Sequence, residues 1–354
     1  MHLGLAALNS FYQQHKLKEV LVLATVIGTQ GSTYRKPGAM MLISAGGEYA
    51  GMISGGCLEA DLLEHAATVF RTGEPKHVTY DMYADEQLVW SLGLGCDGVI
   101  HLLLQRLERQ RGFAFLPLLF DSQQRRVPAV MALVTRSQSD SLPAGCYALV
   151  NNAGESCGSE ALLRCIDDHE FQPSSRHADT SLVLPDGTAD VLMVDIQPVP
   201  GILICGAGPD AVPVVKLITG LGWQCIVADH RSHYARAGRF PGAARVIHSR
   251  PGDLAMSVTL ADIDAAVIMS HNLEHDFSYL EMCLSTADLS YIGILGPAAR
   301  RKKLLERVDK KTAVVFGPVG LDIGAELPES IALSVVAEIH AVLNQRSGGS
   351  LTNC

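Results

Sequence analysis

The sequence predicts an α/β protein in two parts: an N-terminal mixed α/β domain with a β-rich extension, and a C-terminal Rossmann-like doubly wound domain. The 354 residues are enough for two domains. Apolar, strand-like segments alternate with segments of helical spacing. A proline-containing linker, Gln197–Pro200, precedes a strand, a glycine turn and a helix. We therefore predict domains at residues 1–197 and 198–354.

Composition argues against several classes of function. The formal net charge of -9 argues against nucleic acid as the main partner. The N-terminal segment lacks a basic region and soon becomes polar, which argues against an export signal and a membrane span. The nine cysteines are scattered, odd in number and never spaced as Cys-x-x-Cys. We therefore expect reduced thiols in the cytoplasm, and neither a disulfide framework nor a structural zinc site.

The first elements in chain order lead to a cationic loop. We expect a helix at Leu3–His15 and an apolar strand at Val20–Ile27. The loop Gly28–Gly38 follows, with glycines, hydroxyl side chains and the adjacent cations Arg35 and Lys36. These groups suit a phosphate or another anion. A solvated loop with ordinary surface charges has the same composition, so that alternative stays open.

The next element places a cysteine directly after a tight turn. The strand Tyr49–Ile53 leads into Ser-Gly-Gly, where Gly55 and Gly56 allow positive φ. Cys57 is predicted in the first turn of a helix, where unpaired N–H groups and the helix dipole favour a thiolate. Such a thiol suits nucleophilic attack or a soft metal. The alternative is a small, buried apolar residue at a turn.

A second glycine-wrapped cysteine follows. After a break at Gly73–Pro75 and a strand at His77–Asp81, Cys96 lies in the sequence Leu-Gly-Leu-Gly-Cys-Asp-Gly. Three glycines around one cysteine make little sense in a packed core, because each costs folding entropy. They suit a backbone that approaches a ligand or forms an anion-binding nest. The two cysteine loops together favour a functional site.

The segment from Phe113 to Ile196 is predicted to be mostly β-structure. We expect strands at Phe115–Phe120, Ala129–Thr135 and Tyr147–Val150, and a turn at Pro185–Gly187 between two more. This segment completes the first domain and offers no chemistry.

The C-terminal part carries a nucleotide-binding pattern. The strand Gly201–Cys205 meets Gly206 and Gly208 and then a helix, and a second strand ends at Asp229 about twenty residues later. The glycines let a pyrophosphate approach the helix N-terminus, and the acid accepts the ribose hydroxyls. Pro213 conflicts with a helix that begins directly after the turn, so the helix starts later or bends. The alternative is a Rossmann sheet whose glycine turn binds nothing.

Later strands supply further candidates at their carboxyl ends. The strand Asp264–Met269 is followed by His271 and Asp276, in the crevice where open α/β sheets bind ligands. His271 and His275 could also bind a metal, but we favour their interpretation as polar residues of the crevice. Other polar features are the cations Arg300–Lys303 and a glycine-rich loop with Asp322 and Glu326 before a long helix, Pro328–Leu343.

These motifs, in this order, resemble the XdhC/CoxI family, the xanthine dehydrogenase accessory factors. The resemblance rests on Gly31–Gly38, Ile53–Glu59, Gly95–Gly98, Gly206–Gly208 and Gly320–Glu326. It covers nearly the whole chain and is weakest in the β-rich segment. It implies a cofactor-handling N-terminal domain followed by a Rossmann domain, often in a homodimer.

The resemblance also implies a function. A member of this family binds molybdenum cofactor, protects it, helps its sulfuration and delivers it to a molybdenum hydroxylase such as xanthine dehydrogenase, with a cysteine desulfurase as a further partner. The chain would then be a cofactor-insertion chaperone without catalytic residues. Thiolates at Cys57 and Cys96 suit the metal or a transferred sulfur. The predicted cofactor-binding residues are Cys57, Cys96, Gly55, Gly56, Arg35, Lys36, Gly206, Gly208, Asp229, His271, Asp322 and Glu326, of which Cys57 and Cys96 are also the predicted metal ligands.

Two positions depart from the family pattern. Pro209 stands where many relatives have a histidine, so any role of that histidine is absent here. Asp97 stands where glycine is common, and its carboxylate would either repel an anionic pterin phosphate or point away from it.

Two other classes of function stay open. The first is an oxidoreductase with NAD(P) as its cofactor, using Gly206, Gly208 and Asp229, although no Tyr-x-x-x-Lys pair for hydride transfer is evident. The second is a protein-binding scaffold for the dehydrogenase, which would tolerate replacement of both cysteines. The sequence does not say whether the Rossmann fold binds NAD, another nucleotide or nothing.

Overall fold

A computed structural model describes most of the chain, and it divides into two compact units. The described residues are 4–17, 20–82, 98–111, 113–168, 177–285, 289–308 and 314–353. The first unit comprises residues 1–198 and the second unit residues 199–354.

The first unit is built on two antiparallel sheets. Its strands are β1 (Val20–Gly31), β2 (Met40–Ser44), β3 (Tyr49–Gly51), β4 (Lys76–Asp81), β5 (Gly98–Glu108), β6 (Ala129–Ser137), β7 (Tyr147–Asn151), β8 (Ser156–Gly158), β9 (His177–Leu184) and β10 (Gly187–Ile196). Its helices are α1 (Leu5–His15), α2 (Glu59–Thr72), α3 (Leu116–Gln124) and α4 (Glu160–Asp167). The first sheet has the order β3-β2-β1-β5-β4, and the second has the order β8-β7-β6-β10-β9.

The two sheets of the first unit pack face to face, with helices at the margin and on the outer faces. One buried cluster joins the inner faces of both sheets to α1 and α3, and Leu23, Leu103 and Leu192 are all fully buried in it. Helix α2 packs on the outer face of the first sheet, and α4 packs on the outer face of the second. Both faces of the strands that carry the cysteine and cation loops are therefore covered, which makes the sheet a rigid base for those loops.

The second unit is a doubly wound parallel sheet. Its strands are β11 (Gly201–Cys205), β12 (Gln224–Asp229), β13 (Arg245–His248), β14 (Ala265–Ile268), β15 (Tyr291–Ile294) and β16 (Val315–Phe316). Its helices are α5 (Ala211–Gly220), α6 (Leu273–Leu284), α7 (Ala298–Leu305) and α8 (Pro328–Leu343). The sheet order is β13-β12-β11-β14-β15-β16, with every pair parallel. This is the strand order of dinucleotide-binding Rossmann folds.

Helices cover both faces of this sheet. Helices α5 and α8 pack on one face, and α6 and α7 pack on the other. The predicted fold class is therefore confirmed. Within the described ranges, no helix is both long and apolar enough to cross a membrane.

One predicted strand is wrong. Residues 115–120 were expected to be extended, but residues 116–124 form helix α3. Leu116, Leu119 and Phe120 are buried at helical spacing, and Pro117 lies in the first turn, where its missing N–H costs no hydrogen bond. The β-rich segment also contains helix α4. A short apolar run without clear periodicity does not distinguish a strand from a buried helix.

Several other boundaries differ from the prediction, and three of them bear on the candidate sites. Strand β1 continues through Gly28 to Gly31, because these residues pair with the start of β5. Helix α2 begins at Glu59, so Cys57 precedes the helix instead of lying in its first turn. Helix α5 begins at Ala211, which places Pro213 in the first turn and removes the predicted conflict.

Candidate functional site

The loop that contains Cys57 is held by one buried carboxylate. Glu59 is only 3% exposed, although it is the first residue of α2. Its Oε1 accepts hydrogen bonds from the N–H groups of Ile53 (3.2 Å) and Ser54 (2.9 Å). Its Oε2 accepts one from the Ser54 hydroxyl at 2.6 Å. Burial alone would raise the pKa of Glu59, but these hydrogen bonds outweigh it and lower the pKa below its ordinary value.

Ser54 in turn organises the backbone around the cysteine. Its Oγ accepts hydrogen bonds from the N–H groups of Gly56 (3.3 Å), Cys57 (3.1 Å) and Leu58 (3.0 Å). Gly56 has a φ of 109°, which favours glycine. Cys57 is half-buried and its thiol is free. The loop of residues 52–58, hereafter the cysteine loop, therefore presents one fixed thiol between a glycine turn and a helix N-terminus.

The predicted cations lie in the loop of residues 32–39 between β1 and β2, hereafter the cation loop. Arg35 is half-buried, and its Nε is shielded from solvent without a hydrogen-bond partner among the described residues. Burial lowers the pKa of this guanidinium, which remains charged. The exposed Lys36 ammonium lies 3.5 Å from the Thr33 hydroxyl. A guanidinium in this state can still donate hydrogen bonds to an anion.

The cation loop and the cysteine loop leave the same end of the first sheet. Strand β1 ends where Gly31 pairs with Gly98 at the start of β5, and β3 ends where Gly51 pairs with Met41 near the start of β2. Strand β4 also ends there, because Asp81 pairs with Val99. Cys96 lies outside the described residues, but the strands on either side of its segment, β4 and β5, end and begin at this end of the sheet.

Gly98 shows how closely the start of β5 approaches the cation loop. A Cβ built on Gly98 would lie 2.5 Å from the Ser32 carbonyl oxygen and 2.9 Å from the Thr33 methyl carbon. Only glycine fits this position. This accounts for the last glycine of the second cysteine motif by close packing.

In the second unit, the predicted nucleotide residues meet where β11 and β14 diverge. Gly206 has a φ of 123°, and a Cβ there would lie 2.4 Å from the Met269 carbonyl oxygen. His271 follows β14, and its Nε2 lies 2.8 Å from Oδ2 of Asp210. The structure therefore brings the glycine turn and His271 to one crevice, at the switch point of the sheet.

Asp229 also reaches the glycine turn, but its carboxylate is already occupied. It is 1% exposed. It accepts hydrogen bonds from the Ala207 N–H (2.7 Å) and from the Arg231 N–H and guanidinium at 2.8–2.9 Å. Burial would raise the pKa of Asp229, but the hydrogen bonds from Arg231 and Ala207 lower it to about 2. The acid that binds ribose in other dinucleotide sites serves here to fix the turn.

Two further predicted residues, Asp322 and Glu326, belong to another loop of the second unit. Asp322 and Glu326 lie on the exposed loop between β16 and α8, and neither carboxylate is hydrogen-bonded within the parts of the chain that the structure describes. Strand β16 is at the edge of the sheet, two strands away from β14. No hydrogen bond or ion pair joins these acids to the glycine turn within the described residues, and their predicted role stays a prediction.

Comparisons with known proteins follow the same two-part division. A family model described as "XdhC and CoxI family" matches residues 16–81, and one described as "XdhC Rossmann domain" matches residues 202–339. A protein from Bacillus subtilis strain 168, named as a probable xanthine dehydrogenase subunit, is 34% identical over 91% of this chain and 93% of its own length. The chain belongs to the XdhC/CoxI family.

Two further similarities extend over most of the chain. A protein named "Molybdenum cofactor insertion chaperone PaoD" from Escherichia coli K12 is 22% identical over 91% of the chain and 83% of its own length. A crystal structure described as a xanthine dehydrogenase from Bacillus halodurans has a TM-score of 0.78 and 29% identity, with 98% of each chain covered. The predicted XdhC/CoxI resemblance is thus confirmed.

The site of the XdhC/CoxI chain has the chemical groups that an anionic cofactor with a soft metal would need. Arg35 supplies a half-buried cation whose Nε has no partner among the described residues, and Cys57 supplies a half-buried free thiol. No group of three His, Cys, Asp or Glu side chains suited to a metal occurs in the described ranges. The soft donor that the described residues place at this site is the thiol of Cys57.

Sequence reasoning missed the residues that hold these groups in place. Ser54 and Glu59 were part of the motif but had no assigned role. The spacing of a serine and a glutamate around a glycine turn at a helix start is the available signal, because short polar side chains there bind backbone N–H groups. Asp210 was also overlooked, although an acid directly before a helix is expected to lie at its N-terminus.

Proposed function

We propose that this chain is an accessory protein that binds molybdenum cofactor, protects it, assists its sulfuration and delivers it to a molybdenum hydroxylase such as xanthine dehydrogenase. Membership of the XdhC/CoxI family supports the accessory role. The observation that carries the proposal for this chain is the joint position of the cysteine loop and the cation loop at one end of the first sheet.

The cysteine loop and the cation loop would contact different parts of the cofactor. Cys57 would lie against the metal or the sulfur that is transferred, because a thiol is a soft ligand. Arg35 and Lys36 would bind the phosphate and the polar edges of the pterin. We assign Cys96 as the second thiol, because β4 and β5 border its segment at the same end of the sheet. When bound, the cofactor would supply the metal and the dithiolene, and the chain would supply position and shielding from water.

Partners and assembly are part of the same proposal. We propose a cysteine desulfurase as the source of sulfur, a homodimer as the assembly and the cytoplasm as the compartment. The free cysteines among the described residues are consistent with a reducing compartment. Light scattering after size-exclusion chromatography tests the dimer, and co-purification with the desulfurase tests that partner.

The main test is anaerobic binding of purified molybdenum cofactor to the full chain. We compare wild type with Cys57→Ser and Cys96→Ser, and use Cys157→Ser, a half-buried cysteine in β8, as the matched control. Both loop variants should lose at least about tenfold in affinity, and the control should bind like wild type. Absence of binding by wild type, or unchanged binding in both loop variants, would reject the carrier proposal.

A second comparison tests the cation loop. Arg35→Ala should weaken cofactor binding severalfold, because it removes a half-buried cation whose Nε has no partner among the described residues. Arg111→Ala removes a highly exposed arginine and should have no effect. If the cysteine and arginine variants all activate an apo-hydroxylase as well as wild type does, the protein-binding scaffold is the better description.

A nicotinamide cofactor is not part of the proposal. The strand order of the second unit favours a dinucleotide site. The carboxylate of Asp229, however, is saturated by the chain itself. The residues present therefore do not fit NAD(P).

A further inference from the structure

The glycine turn of the second unit lies at the N-terminus of α5, where Rossmann proteins bind a pyrophosphate. That position normally requires bare glycines and exposed N–H groups, because the ligand is doubly charged and approaches the backbone closely. Here the position next to Gly208 is filled by the chain's own carboxylate. A Cβ built on Gly208 would lie only 2.5 Å from Oδ1 of Asp210. The bare Cα of Gly208 thus makes room for Asp210.

A histidine that follows the neighbouring strand β14 contacts the Asp210 carboxylate. Its Oδ2 lies 2.8 Å from Nε2 of His271, which follows β14. Its Oδ1 is buried and has no hydrogen-bond partner within the described ranges. His271 has a φ of 60°, a left-handed conformation that is uncommon for a residue other than glycine. The pair is partly open to solvent, because the side chain of His271 is 59% exposed and that of Asp210 is 25% exposed.

The charge of Asp210 lies where an anionic ligand would come. The carboxylate makes no hydrogen bond to the N–H groups of the helix N-terminus, but its charge interacts favourably with the helix dipole that would otherwise attract a pyrophosphate. A second anion within a few ångströms would also be repelled.

Arg239 is a cation near the glycine turn that could attract an anion. No carboxylate contacts Arg239 in the described part of the chain, but its guanidinium donates to the Ala207 carbonyl oxygen at 2.7 Å and to that of Tyr234 at 3.1 Å. The backbone therefore already engages this nearby cation.

We infer that Asp210 is a specificity-determining residue that excludes the pyrophosphate of nicotinamide dinucleotides from the turn at Gly206–Gly208. The inference concerns the second unit alone and does not depend on molybdenum cofactor binding by the first. It also explains why a complete Rossmann strand order coexists with a carboxylate next to Gly208.

The test is calorimetric titration of the full chain with ADP-ribose and with NAD⁺. Wild type should show no binding tighter than about 1 mM. Asp210→Asn keeps the size of the side chain and removes its charge, and Asp210→Ala removes both. Each should bind ADP-ribose at least about tenfold more tightly than wild type, because like-charge repulsion and competition for the helix dipole are relieved.

Two control variants separate the local charge from other effects. Asp262→Asn removes an exposed acid elsewhere in the second unit and should bind like wild type. His271→Ala keeps the Asp210 charge and should also stay weak. Urea unfolding establishes that each variant is folded, and cofactor binding by the first unit should be unchanged in all of them. The inference is overturned if wild type binds NAD⁺ at micromolar concentrations, if either Asp210 variant gains less than about threefold, or if a control gains as much.

Discussion

Among single residues, Glu59 has the clearest structural consequence. It is a carboxylate at the start of a helix, yet it is buried and faces back into the cysteine loop. A buried carboxylate must be hydrogen-bonded to be tolerated, and Glu59 accepts from two backbone N–H groups and one hydroxyl. The loop that carries Cys57 is therefore held by the same residue that begins the helix.

Replacing Glu59 should destabilise the fold and loosen the loop. Glu59→Gln keeps the size of the side chain but replaces an acceptor with an amide donor opposite Ser54. We expect a loss of about 1–3 kcal/mol in the free energy of unfolding, as for a buried hydrogen-bonded charge that loses its partner. Urea unfolding measures it, and Glu64→Gln, an exposed glutamate of the same helix, is the control. Equal midpoints for the two variants would contradict the role given to Glu59.

Asp229 should make stability depend on pH in the acid range. Its folded pKa of about 2 lies below the unfolded value of about 3.9. The contribution is therefore complete above about pH 4 and is lost as the pH falls towards 2. The shift corresponds to roughly 2–3 kcal/mol.

Comparing Asp229→Asn with wild type measures that contribution directly. The stability difference between them should be largest near pH 6 and should decrease steadily below pH 4. Unfolding curves at a series of pH values measure it, with Asp262→Asn as a control that keeps the wild-type dependence. A difference that stays constant from pH 6 to pH 3 would show that the Asp229 carboxylate is not held as described.

At the scale of elements, sequence patterns predicted the strands and helices whose periodicity was long or bounded by strong signals. Helix α8 was predicted at Pro328–Leu343 and forms there, and β11 and β12 carry continuous apolar runs that are buried on both faces. Short apolar runs were less informative. Residues 116–120 have the apolar content of a strand. They form a helix because helical spacing lets their apolar side chains pack between α1 and the sheets.

The residue at which α5 begins determines whether Pro213 costs a helical hydrogen bond. Pro213 is the third residue of this helix, where a backbone N–H has no partner within the helix. Pro213→Ala should therefore change the free energy of unfolding by less than about 0.5 kcal/mol. Lys216→Pro, on the exposed face of the same helix, should cost about 3 kcal/mol or more, because it removes a helical hydrogen bond. Thermal unfolding compares the two, and a large loss in Pro213→Ala would mean that the helix begins earlier.

At the scale of the whole molecule, local signals predicted one unit better than the other. The alternation of strands and helices in the second unit leads to a parallel sheet with few alternatives. In the first unit the two sheets pair strands that are far apart in sequence, such as β1 with β5 and β6 with β10. No local pattern specifies such pairings, so the common end of the cysteine and cation loops became visible only in the structure.

The two units should also fold independently of each other. The buried clusters of the first unit contain only residues before 198, and those of the second contain only residues after 199. Chains of residues 1–198 and 199–354, expressed separately, should therefore each unfold cooperatively in urea. The first should retain molybdenum cofactor binding, and Asp210→Asn in the second should still gain affinity for ADP-ribose. A fragment of residues 251–354 lacks the strands β11, β12 and β13, which are half of the sheet, and should not fold. A first unit that folds but binds no cofactor would place part of the site in the second unit.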